Sequence, residues 1–119
     1  MHRSFYHYDA HLEVHFIDCA GTLDLATGLA RLSLLQRALE AAARSQAVAR
    51  MLIDFSTTVW ESDDTHRELS RATRRDFGLN ADNPNLRAAM VHPARVGRVA
   101  DNEHWFATRA AALAWLCAQ

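Results

Sequence analysis

Two short clusters hold the residues with chemical potential. Asp54 and Ser56 close the apolar run Met51-Leu52-Ile53, and Ser62-Asp63-Asp64-Thr65 follows a few residues on. A carboxylate and a hydroxyl at the end of a covered strand, followed by a helix amino end, occupy the place where α/β proteins put their working groups. Acid–base chemistry would need Asp54 to share a proton with a histidine, and no spacing fixes one beside it. A carboxylate bonded to loop amides accounts for Asp54 and Ser56 equally well. Capping accounts for Ser62 to Thr65, because acidic side chains in a first turn stabilise a helix by roughly 0.3–1 kcal/mol each. The same four residues would also present an anionic knob, or a phosphorylatable Ser62 or Thr65, to a partner. No catalytic residue is assigned.

His7, His11 and His15 recur every fourth residue beside Glu13. Three imidazoles and a carboxylate are zinc ligands by type. On a strand, however, same-face side chains stand roughly 6–7 Å apart, which hinders convergence on one ion. They read as a wet sheet face or a subunit contact, with no metal and no cofactor expected. Arg67, Arg71, Arg74 and Arg75 form a basic stripe that reads as a solvated helix surface. Trp60 falls in a turn, where an indole is either a loop anchor or a contact site. Glycine-rich phosphate loops, nucleophile elbows and paired-cysteine motifs do not occur.

The elements that must position these residues follow from patterning. Phe5 to Asp9 and Leu12 to Ala20 read as a hairpin about Asp9-Ala10-His11, closed by Gly21. Leu12, Val14 and Phe16 face one way, Glu13 and His15 the other. Asp24 caps a long helix through Leu25, Leu29, Leu32, Leu35 and Leu39, ending near Arg44. Met51 to Phe55 lacks alternation and suits a parallel strand covered on both faces. The spacing predicts a second helix with Thr65-His66-Arg67-Glu68 as a capping box, Leu69, Ala72, Thr73 and Phe77 inward, and Gly78 at its end. Leu86 to Val91 is a strand stopped by His92-Pro93. Pro93 to Glu103 reads as irregular with room for one helical turn, His104 to Phe106 as a short edge strand, and Thr108 as the cap of a last helix.

The totals fit one domain over residues 1–119. Half of the 119 residues are apolar or aromatic and 23% are charged, enough to fold around one core. A formal charge of -1 gives no overall pull toward nucleic acid, and none is expected as a partner. No apolar run approaches the roughly 18 residues of a membrane span. Met1-His2-Arg3-Ser4 lacks the apolar core of a signal peptide, so a cytoplasmic location is the expectation. Cys19 and Cys117 read as reduced, buried thiols.

The strand Met51 to Phe55, its Asp54-Phe55-Ser56 ending and the turn to Ser62-Asp63-Asp64 resemble the STAS fold of anti-sigma factor antagonists. The ending Trp105-Phe106-Ala107-Thr108, with Ala111-Ala112-Leu113-Ala114-Trp115-Leu116, is similar to the SpoIIAA-like branch, as are the opening hairpin, Gly21-Thr22 and the leucine-rich helix. The resemblance spans nearly the whole chain in short motifs. It implies an α/β fold: a mixed sheet of four to five strands with an N-terminal hairpin and three main helices. In that family a serine in an Asp-Ser-Ser-Gly stretch is phosphorylated. Here Asp63 stands at that position and Thr65 replaces the glycine, so the usual phosphoserine switch is missing unless Ser62 or Thr65 has taken it over.

The expected function is a non-catalytic, regulatory protein-interaction module. Its partner-binding set is Asp54, Ser56, Trp60, Ser62, Asp63, Asp64 and Thr65. The alternatives are a carrier of a small apolar ligand or lipid, by likeness of such domains to the SEC14 fold, and an enzyme using Asp54 with a histidine. Pairing of two copies along the hairpin edge stays open.

Overall fold

The computed structural model describes residues 3–24, 26, 28, 48–77 and 86–118. In chain order the elements are β1 (Arg3–Asp9), β2 (Val14–Leu23), β3 (Ala49–Trp60), α1 (Asp63–Phe77), β4 (Leu86–Val91), β5 (Gly97–Ala100), β6 (Glu103–Phe106) and α2 (Arg109–Cys117). The leucine-rich helix expected over 25–44 lies outside the described residues, as do Gly78 and the loop 80–85.

All six strands join one sheet in the order β1-β2-β3-β4-β6-β5. β2, β3, β4 and β6 run parallel, and β1 and β5 add antiparallel edges. Six strands replace the four to five expected, and two readings change. Residues 97–100, taken as irregular, form edge strand β5. His104 to Phe106, taken as an edge, lies inside the sheet between β4 and β5. A bridge between His92 and Arg95 turns the chain after β4, so the segment after Pro93 returns as a strand instead of forming a helical turn.

Alternation sorts the core into two layers. Val14, Phe16, Leu52, Ala89 and Val91 face α2, meeting its Ala112 and Leu116. Ile17, Cys19, Met51, Ile53, Phe55 and Met90 face the other way, joined by the partly buried Tyr6, Trp60 and Trp105. His66 of α1 packs on Trp60 and Trp105, which places α1 on this second side. The near-continuous burial of Met51 to Phe55 follows from this double cover.

β2 and β3 both run past their expected ends. Gly21 does not close β2. It adopts φ 92, and Gly21, Thr22 and Leu23 continue the pairing opposite Thr58, Val59 and Trp60. A glycine tolerates that conformation at no steric cost. The hairpin turn is longer than expected, reaching Glu13 (φ 57). Asp9 Oδ1 organises it by accepting the His11 and Leu12 N–H groups, both at 2.9 Å.

Opposite Asp18 to Ala20, β3 uses one extra residue: Asp18 pairs with Asp54, but Ala20 pairs with Thr57. This bulge reverses the facing of every later side chain in β3. Trp60 therefore joins Phe55, with ring centroids 5.5 Å apart, and not Asp54.

Gly28 approaches α1 so closely that a Cβ would overlap both Leu69 methyls, and Leu69 is buried. Gly28→Ala is expected to cost about 1.5 kcal/mol through overpacking. Urea unfolding should show the loss, and Leu69→Ala in the same chain should cost less than it does alone. Equal stability of Gly28→Ala and the parent would refute the close approach.

Candidate functional site

The expected partner-binding set divides between the two faces of the sheet. Asp54 and Ser56 lie toward α2. Trp60, Ser62 and Asp63 line a depression on the other side, at the carboxyl ends of β3 and β4.

On the α2 side, Arg109 Nη1 donates to Asp18 Oδ1 at 2.5 Å and to Asp54 Oδ2 at 2.9 Å. Asp54 Oδ1 accepts the Ser56 hydroxyl at 2.5 Å and the Ser56 N–H at 2.8 Å. Burial alone would raise the Asp54 carboxyl. The two Ser56 donors and the Arg109 guanidinium outweigh it and hold that carboxyl below its usual range. Burial would likewise lower Arg109, but the two aspartates raise it. The group against Asp54 is thus a guanidinium, which keeps its proton, and not an imidazole. The arrangement ties β2, β3 and the start of α2 together.

Asp18 and Arg109 were not anticipated. One signal was present: Arg109 directly follows the Thr108 cap, whose Oγ1 accepts the Ala111 N–H at 3.2 Å. A cation in the first turn opposes the helix dipole and needs a carboxylate elsewhere in the fold to hold it there.

On the other side, Thr58, Val59, Trp60, Ser62, Asp63, His92 and Arg95 line an open depression of ≈ 560 Å³. Trp60 forms its aromatic wall. Its ring meets His66 edge-on at 4.6 Å and His92 at 5.0 Å, and the Arg95 guanidinium sits 5.0 Å from the ring centre. Burial pushes His66 down to about 4, helped by the charge of Arg95, opposed by Asp63, and lowered further by His92. Burial, then Arg95, also lowers His92, against a hydrogen bond to the Thr58 carbonyl. His92 Nδ1 accepts the Ala94 N–H at 3.1 Å. At neutral pH the two imidazoles form an uncharged wall beside one guanidinium.

The start of α1 differs in detail from expectation. Ser62, not Thr65, is the cap: its Oγ accepts the Thr65 N–H at 3.1 Å and also contacts Thr65 Oγ1 at 3.1 Å. The longer β3 leaves only Glu61 and Ser62 between strand and helix, so capping moves to the first available hydroxyl. Thr65 is buried, whereas Ser62 is exposed. Asp64 is exposed and paired with Arg67, outside the depression. Ser62→Ala is expected to cost about 1 kcal/mol, read by thermal or urea unfolding; an unchanged midpoint would refute the capping assignment. Incubation with a promiscuous serine/threonine kinase should label Ser62 before Thr65, and mass spectrometry would locate the label.

The remaining candidates disperse. His7 stacks on Phe16 at 4.8 Å, and the buried His15 bonds the Tyr6 hydroxyl through Nδ1 at 2.7 Å. Among the described residues no three histidine, cysteine or acidic side chains group as metal ligands. Arg71 pairs with Glu68 at 3.0 Å on the exposed side of α1; the side chains of Arg74 and Arg75 lie outside the described set. Cys19 is buried as expected, but Cys117 is exposed, and both are free thiols. No described helix is long and apolar enough to cross a membrane.

Comparison with protein-family models, curated proteins and solved structures finds no match to this chain.

Proposed function

We propose that this chain is a non-catalytic interaction module of STAS, SpoIIAA-like type, which engages a protein partner at the end of β3 and the start of α1. The observation that carries the reading is the surface composition there. Val59 is 63% exposed and shares a depression with Trp60, Ser62 and Asp63. An exposed apolar side chain beside a tryptophan and an arginine has the composition of an interface centre. The resemblance supplies the module type, and the residues of this site supply the contact set: Trp60, Ser62 and Asp63, with Val59 and Arg95 beside them. Asp54 and Ser56 serve the contact indirectly, by fixing β3 from the opposite face. An aspartate at position 63 gives the helix start one standing negative charge without phosphorylation.

The test is site-specific photo-crosslinking in the cells that make the protein. A crosslinker at position 59 should capture one discrete protein adduct, and one at the exposed Ala114 of α2 should not. Adducts that do not depend on position, or none from position 59, would refute the reading.

A further inference from the structure

Arg95 is the least explained charge at this surface. Arg67, Arg98 and Arg109 pair with Asp64, Asp101 and the Asp18–Asp54 pair, and Arg71 pairs with Glu68. Among the described residues, Arg95 has no carboxylate against its guanidinium, which is held over the Trp60 ring instead. Its position is set in advance. The Arg95 N–H bonds the His92 carbonyl at 3.1 Å, and the His92 ring accepts the Ala94 N–H at 3.1 Å. A guanidinium laid on an indole keeps N–H donors free at its edge and loses little freedom when an anion arrives.

The surroundings narrow what that anion can be. Asp63 lines the same depression, so a dianion such as phosphate meets about twice the repulsion there that a singly charged carboxylate meets. Val59, 63% exposed, adds apolar surface at the rim of the depression. A lone small carboxylate would leave that surface uncovered, whereas a chain segment would cover it. We propose that the depression receives a glutamate or aspartate side chain of a partner protein, held by Arg95 against Trp60, with a neighbouring apolar residue of the partner on Val59. This inference rests on the interaction-module reading and adds the chemistry of the partner segment.

The test uses the full chain, labelled with 15N, titrated with the acetylated and amidated tripeptide Ile-Glu-Ile, with its Ile-Gln-Ile analogue, and with inorganic phosphate. The Glu peptide should shift the Trp60 indole N–H and the Arg95 side-chain N–H saturably. The Gln peptide and phosphate should bind at least tenfold more weakly. Arg95→Gln should remove the difference between the two peptides, and Arg95→Lys should keep part of it. Equal binding of the Glu and Gln peptides, or phosphate binding as tightly as the Glu peptide, would overturn the inference. The crosslinked adduct at position 59 separates the two claims. If it forms undiminished in Arg95→Gln, the carboxylate contact is wrong and the module reading stands. If position 59 gives no adduct, the module reading itself fails.

Discussion

Arg109→Met is expected to destabilise the fold by about 2 kcal/mol, between the cost of breaking an exposed ion pair and that of breaking a buried one. The substitution keeps the length of the side chain and removes its charge. Asp18 and Asp54, paired across β2 and β3, would then face each other with nothing between them. Asp54 is buried and cannot turn to water, while Asp18 and Arg109 are each about one third exposed, which keeps the cost from the upper end of that range. Urea unfolding at pH 7 measures the loss. Adding Asp54→Asn to Arg109→Met should recover part of it by removing one of the two opposed charges. The pH dependence carries the same sign: a carboxyl held low when folded contributes stability above its unfolded value, and that contribution is lost as pH falls through the folded one. Arg109→Met should therefore lose stability at neutral pH and lose less on acidification than the parent. A change under about 1 kcal/mol would show that the bridge is solvated and not a tie between strands.

His66 gives the second large effect, in a different pH window. Its folded value lies near 4, below the ordinary 6.5 of an imidazole. The unfolded chain therefore takes up a proton first as the medium acidifies. Stability is full above pH 6.5 and declines as pH falls toward 4, by about 2 kcal/mol once solvent screening of a half-buried ring is allowed for. His92 is shifted in the same direction and adds to the slope. Unfolding midpoints measured from pH 7 to pH 4.5 should fall steeply in the parent and less in His66→Gln. Parallel profiles would mean that the ring titrates freely in the folded state.

The sequence was most legible where one cause decides the structure. Leu86 to Val91 is apolar, bounded and stopped by His92-Pro93, and it forms β4 over the same residues. Thr108 caps α2 because a threonine hydroxyl before a helical run has one evident use. Legibility failed where distant partners decide. Nothing local to Gly21 or Thr57 says that β2 and β3 will prolong each other, since neither extension stands without the other's hydrogen bonds. β5 is four residues long and depends on β6 for its pairing. The site followed the same pattern. Asp63 was readable as a first-turn carboxylate because a helix start is a local feature, whereas Trp60, expected in a turn, ends β3 instead, because β2 prolongs that strand. His92 and Arg95 arrive from 29 or more positions later in the chain. Thr65 was misjudged as the cap because Ser62 and Thr65 both have the right chemistry, and only the true end of β3 distinguishes them.

The extra residue in β3 has a consequence for how such a chain can change. It sets which face the end of the strand presents, and so keeps Trp60 with Phe55 and turns the buried Thr58 hydroxyl to the Cys19 carbonyl it bonds at 2.9 Å. Loss of a single codon between positions 55 and 57 would undo both, sending the indole to the Arg109 side of the sheet and parting that hydroxyl from its acceptor. Substitutions that keep the chain length leave the phase intact, so side chains can drift on either face without turning the indole from its neighbours.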